Sequence, residues 1–199
     1  MTPFEYPTLP HERWHGPAGY LDTDSFRPWL RDEFVFRCVY CLRREQWAPG
    51  QTGFEIDHLA AVVNAPELAL TYDNLMYTCE VCNSVKGARD LPDPSRELVA
   101  GALAVAADGT IIGFSRRARR IIRVLGLDDA EFTLYRARWI KIVALAKEHD
   151  ADLYRQLLGF PDDLPDLRSL RPPGGNTRPN GIKQSHFCRR EKGELPPIY

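Results

Sequence analysis

The chain has 199 residues, 44% hydrophobic and 27% charged, with a net charge of −1. The length favours one domain with appendages, and the apolar fraction excludes global disorder. The near-neutral charge excludes a polycation, so any affinity for nucleic acid has to come from local basic patches. No apolar run approaches the ~20 residues of a membrane span, and no basic-then-apolar start resembles a signal peptide, so a soluble, cytoplasmic protein is expected. Five cysteines, four of them in two CxxC pairs, fit that compartment better than a secreted disulfide framework.

Residues 1–24 carry Pro, Gly and His around Tyr6, Trp14 and Tyr20 and read as an arm on a domain surface. His11 and His15 are four apart, but Pro10 and Gly16-Pro17 argue against a helix that would align them as metal ligands. Thr23-Asp24-Ser25 offers an N-cap to a short helix through Phe26, Trp29 and Leu30, ending near Glu33. Phe34-Val35-Phe36 then leads as an extended run into Cys38-Val39-Tyr40-Cys41, a zinc-knuckle turn. A Pro49-Gly50 turn precedes a strand from about Thr52 to Asp57. A short helix is expected around Pro66–Leu70, and another from Cys79–Cys82 to about Arg89, where Leu91-Pro92 stops it.

Beyond residue 95 the texture changes. Leu103–Ala107 and Thr110–Phe114 flank Asp108-Gly109, a hairpin turn signal. Ser115 caps a helix bearing Arg116, Arg117, Arg119, Arg120 and Arg123, which Gly126 ends. Asp128-Asp129 opens a long helix to His149, and Ala151–Leu158 forms another. The hairpin and helices of residues 96–160 form an accessory region behind the core of residues 25–95. Residues 161–199 form a Pro/Gly-rich tail whose basic and aromatic residues suggest a partly ordered surface-binding segment.

The cysteines read C-x2-C-x37-C-x2-C, and four thiolates suit a structural zinc ion with no open position for a substrate. The long gap is tolerable. Doubling a loop costs only about 0.6 kcal/mol, against roughly 10–16 kcal/mol from a structural zinc. Between the pairs lies Asp57-His58, and Asn83 directly follows Cys82. Asp57 and Asn83 offer hard oxygens suited to magnesium or manganese. His58 offers an imidazole that takes up a proton near neutral pH. Strand alternation puts Asp57 and His58 on opposite faces, so the strand should end or bulge there for both to reach one metal. Glu55, on the Asp57 face, is a rival ligand. Asp73 and Glu80 read as surface charges.

From Cys38 to Gly87 these motifs, CxxC, Asp-His, Asn-Leu and CxxCNxxKG, resemble the HNH endonucleases. The resemblance implies an α+β fold: a ββα-metal core stapled by the four-cysteine zinc site, here followed by a hairpin and helices. It further implies that His58 is the general base, Asp57 and Asn83 are metal ligands, Asn74 pins the intervening loop, and Lys86 faces phosphate. Asn83 stands where many members have the last His. The expected activity is metal-dependent hydrolysis of DNA to 5′-phosphate and 3′-hydroxyl ends. The five arginines read equally as holders of the nucleic-acid backbone and as a solvated helix face with local salt bridges. Residues 103 to 140 resemble the segment behind the HNH core in bacterial phage-defence proteins such as Septu, which implies an ATPase partner. Two rivals remain. A ribonuclease could use the same site, since nothing in the sequence reads the 2′-hydroxyl. A non-catalytic zinc module binding nucleic acid or protein would not need Asp57, His58 and Asn83 together.

Overall fold

Two strands and a short helix form the centre of the molecule. A computed structural model describes residues 2–48 and 53–199, so the expected Pro49-Gly50 turn and Thr52 lie outside the described residues. Strands β1 (Phe54–His58) and β2 (Leu75–Cys79) pair antiparallel, from Phe54 opposite Cys79 to His58 opposite Leu75. All five residues of β2 are buried, so this strand runs through the core while β1 keeps Glu55 at the surface. Helix α1 (Arg27–Glu33) packs on β2, and α2 (Glu80–Lys86) packs on both strands. Cys79 precedes the first turn of α2, and Gly87, at φ +53°, ends the helix three residues earlier than Leu91-Pro92 would have done.

The Phe34–Phe36 run is not extended. Val35 and Phe36 both take φ +54°, a left-handed conformation costly for a β-branched residue. The chain thereby folds back from α1, with Phe36 N–H bonded to Arg31 O, and delivers Cys38 to the knuckle. Val39 N–H bonds to Tyr77 O and ties that knuckle to β2.

After the short helix α3 (Pro94–Glu97) come β3 (Leu103–Val105) and β4 (Ile111–Gly113), the expected hairpin with shorter arms. Helix α4 (Arg116–Val124) is capped by Ser115 Oγ, which accepts from Ala118 N–H, and buries Ala118, Ile121 and Ile122. Helices α5 (Ala130–His149) and α6 (Ala151–Leu158) match the sequence expectation. Trp139 of α5 stacks on Trp47 at 4.3 Å between ring centroids, which docks α5 against the 3-10 turn Glu45–Trp47. No helix among the described residues is long and apolar enough to cross a membrane.

The two ends depart most from expectation. The arm is built into the core: Phe4, Tyr6 and His15 are buried. The tail is ordered and docked on the arm rather than presented as a loose basic segment. Pro17 bridges Asn176, while Ala18 N–H bonds to Gly175 O and Thr177 N–H to Gly16 O. Asp73 is the surface charge expected, and Arg178 reaches both of its carboxylate oxygens at 2.8 and 2.7 Å, so it also anchors the tail. Helix α7 (His186–Glu191) buries His186 and Cys188. Both ends converge on the last turn of α1. Asp32 accepts from His15 Nε2 at 2.8 Å, His186 N–H at 2.8 Å and His186 Nδ1 at 3.0 Å. Glu33 accepts from His11, the Trp14 and His15 amides, and the Tyr72 hydroxyl.

Candidate functional site

The zinc knuckles meet as their spacing required. Sγ atoms of Cys38, Cys41, Cys79 and Cys82 all lie within 4.8 Å of one another, and all four residues are buried. Cys41 Sγ and Cys79 Sγ are 3.7 Å apart. Metal–sulfur bonds of ~2.3 Å in a tetrahedron require about 3.8 Å between sulfurs, so the donor set and its spacing fit zinc. Four cysteines close the site, which makes the ion structural.

Helix α2 carries consequences of that anchor. Its first turn holds Cys82, and Asn83 and Lys86, three residues apart, fall on the face toward β1. There they meet Glu55 and Asp57, two residues apart on one face of the strand. Asn83 Nδ2 donates to Glu55 Oε2 at 2.5 Å, and Lys86 Nζ donates to Asp57 Oδ1 at 2.9 Å. The other Asp57 oxygen accepts from Tyr40 Oη at 2.8 Å. Asp57 is only 4% exposed, and burial pushes its carboxyl up despite the opposing Lys86 charge.

Lys86 does not face phosphate. It is 0% exposed, and its ammonium bonds both Asp57 and His58 O at 2.6 Å. A fully buried ammonium needs a counter-ion, and Asp57 is the one this helix face reaches.

Asn74 is buried, and its amide spans the loop between the strands. Oδ1 accepts from Ala60 N–H at 2.8 Å, while Nδ2 donates to Ala60 O and Leu68 O at 3.1 and 3.2 Å. Those bonds hold the Pro66–Leu68 turn, and the next residue supplies the oxygen that orients His58. Nε2 of His58 lies 3.0 Å from Ala69 O, and a carbonyl only accepts, so Nε2 carries the proton and Nδ1 is left as the acceptor.

Asp57, His58 and Asn83 line one open cleft of about 210 Å³, together with Ala61, Val62, Val63, Gly87 and Ala88. The strand does not bulge: its ladder is unbroken through His58 opposite Leu75. Both side chains reach the cleft because His58 is the last residue of β1, where the cleft wraps the strand end. The hard donors fit a divalent cation. Asn83 Oδ1 has no partner among the described residues, and the Asp57 carboxylate faces the same cleft.

Residues 38–89 match the HNH endonuclease family. No curated protein matches the chain. The HNH segment starts at the first zinc cysteine, ends just beyond α2 and contains every residue of the cleft. The match supports a nuclease-type function on nucleic acid.

All five arginines of α4 are exposed. Arg117 pairs with Glu97, and Arg120 bonds Asp90 O. Arg116, Arg119 and Arg123 have no ion pair or hydrogen bond among the described residues. Two features escaped the sequence reading. Tyr40 sits inside a CxxC, where an aromatic hydroxyl gives no sign of its distant carboxylate. Ala69 acts through its carbonyl, which leaves no mark in a sequence.

Proposed function

We propose that the chain is a metal-dependent endonuclease that hydrolyses DNA phosphodiesters to 5′-phosphate and 3′-hydroxyl ends. The observation that carries this reading is the one cleft shared by His58, Asp57 and Asn83, with His58 Nδ1 an acceptor that has no partner among the described residues. Asp57 and Asn83 would hold magnesium or manganese, and Glu55, bonded to Asn83, is the neighbouring carboxylate. A bound divalent cation would polarise the scissile phosphate and stabilise charge developing on the leaving oxygen. His58 Nδ1 takes the proton of the attacking water. Ala69 O fixes the ring and its tautomer, while Asn74 fixes the loop that carries Ala69. Lys86 and Tyr40 hold the Asp57 carboxylate in one orientation. The exposed arginines of α4 support phosphate binding outside the cleft. The resemblance of residues 103 to 140 to phage-defence proteins supports a cytoplasmic role as nuclease subunit beside an ATPase.

The test is incubation of the purified chain with plasmid, single-stranded DNA and RNA, with and without magnesium or manganese. His58→Ala should lower cleavage by ~10²–10⁴-fold while leaving thermal stability and DNA binding unchanged. Full turnover in that variant would remove His58 from the mechanism, and cleavage confined to RNA would replace the substrate.

A further inference from the structure

Ile112 and Phe114 stand 52% and 55% exposed on the outer face of the β3–β4 hairpin, opposite the packed face of Leu103 and Ile111. Phe114 directly precedes Ser115, the cap of α4, so an uncovered aromatic ring begins a surface that continues into five exposed arginines. Gly113 makes room for α4: a Cβ there, on the Ile111 face of the strand, would lie 2.8 Å from Arg119 Cγ and 3.1 Å from Arg119 N, so the helix packs closely against the strand end behind Phe114. At its other end α4 approaches the cleft. Val124 shares a groove with Gly87, Ala88 and Arg89, and both Gly87 and Ala88 also line the cleft with His58. Nine residues of helix span about 13 Å at ~1.5 Å per residue.

We infer that Phe114 is a base-stacking platform, and that the substrate is held there as an unpaired strand whose phosphates lie along the arginines of α4. This rests on the nuclease reading and narrows its substrate. An aromatic face stacks on a base only when the base's own face is free, which a continuous duplex denies. Arg116, Arg119 and Arg123, without acidic partners among the described residues, supply the kind of charge with which single-strand binders track the backbone. A protein partner would have no need of this continuity between the arginines and the cleft.

The experiment measures binding of the full chain, without divalent metal, to a labelled oligothymidylate and to a hairpin duplex. A second strand carrying 2-aminopurine reports stacking by its fluorescence. Phe114→Ala should weaken single-strand binding roughly tenfold, leave duplex binding within about twofold, and abolish 2-aminopurine quenching. Phe114→Trp should retain both binding and quenching. Unchanged single-strand affinity in Phe114→Ala, or equal losses on strand and duplex, would overturn the inference. So would a wild-type chain that binds neither, which would make the patch a protein-docking surface. Magnesium-dependent cleavage that ignores Phe114 sinks the platform and spares the nuclease. Quenching that depends on Phe114, in a chain that cuts nothing with any divalent metal, upholds the platform and sinks the nuclease.

Discussion

The Asp57 carboxylate has more partners than a free ligand would. Tyr40 and Lys86 each take one of its oxygens, and Lys86 has no access to solvent. The lysine is therefore a fixture of the site's interior. Lys86→Met strands a buried carboxylate and should cost about 3–5 kcal/mol of stability, read as a lowered thermal midpoint. Adding Asp57→Asn should recover much of that loss, because no uncompensated charge then remains. A phosphate-facing lysine would behave otherwise, with Lys86→Met losing DNA affinity at an unchanged midpoint. The residues of the candidate site stood out at this scale because each belongs to a short-range motif: two cysteines three apart, Asp beside His, Asn after Cys. Their partners were not. Tyr40 lies 17 residues from Asp57, and Lys86 lies 29. Only the pairing of β1 with β2, and of α2 with β1, brings them together.

Elements show what composition alone conceals. The Arg-rich helix presents the exposed face its pattern implied, and Arg116, Arg119 and Arg123 are uncommitted among the described residues. Changing Arg116, Arg119 and Arg120 to Glu should weaken binding to all DNA sequences alike and flatten the dependence of affinity on salt. An unchanged salt slope would reduce the helix to a solvated face. The Pro/Gly-rich tail went the other way. Its composition reads as coil, and so it is, but coil can dock by its backbone. Residues 174–177 pair with the arm, and His186 inserts beside Asp32. Burial alone would raise the Asp32 carboxyl, yet hydrogen bonds from His15 and His186 hold it below its ordinary value. A lowered carboxylate contributes stability above its unfolded pKa of ~3.9 and loses it as pH falls through the lower folded value. Asp32→Asn should therefore destabilise most near neutrality, and its deficit against wild type should shrink below about pH 3.9. Denaturation followed by the fluorescence of Trp14 and Trp29 measures this. A deficit that stays constant into acid would show that Asp32 acts through shape rather than charge.

For the molecule as a whole, the four-cysteine cluster brings together parts that lie far apart in the chain. A zinc ion there would join a knuckle that carries Tyr40 to a helix that carries Asn83 and Lys86, and the cleft is assembled from both. Cys79→Ser should lose about one zinc per chain along with cooperative folding. Elemental analysis and a melting curve check this, and a well-folded, zinc-free wild-type protein would contradict it. Strand β2, buried on both faces and without alternation, was expected only through the resemblance. Strand β1, helix α2, the hairpin and the accessory helices could be read from sequence because hydrophobic period, caps and breakers are local. The left-handed pair Val35-Phe36 could not, since no glycine announces it; packing of Phe36 in the core, beside Phe160 and His186, compensates its backbone cost.

The stitching of residues 174–178 to residues 15–18 has a temporal meaning. A chain growing on the ribosome at ~5–20 residues per second must wait roughly ten seconds or longer after Ala18 before Gly175 exists to meet it. Through that interval Asp32 has His15 but lacks His186, and Asp73 lacks Arg178. Zinc, by contrast, has all four ligands once Cys82 emerges. The four-cysteine cluster can thus assemble early, and the seam over α1 closes only after residues 174–186 have emerged.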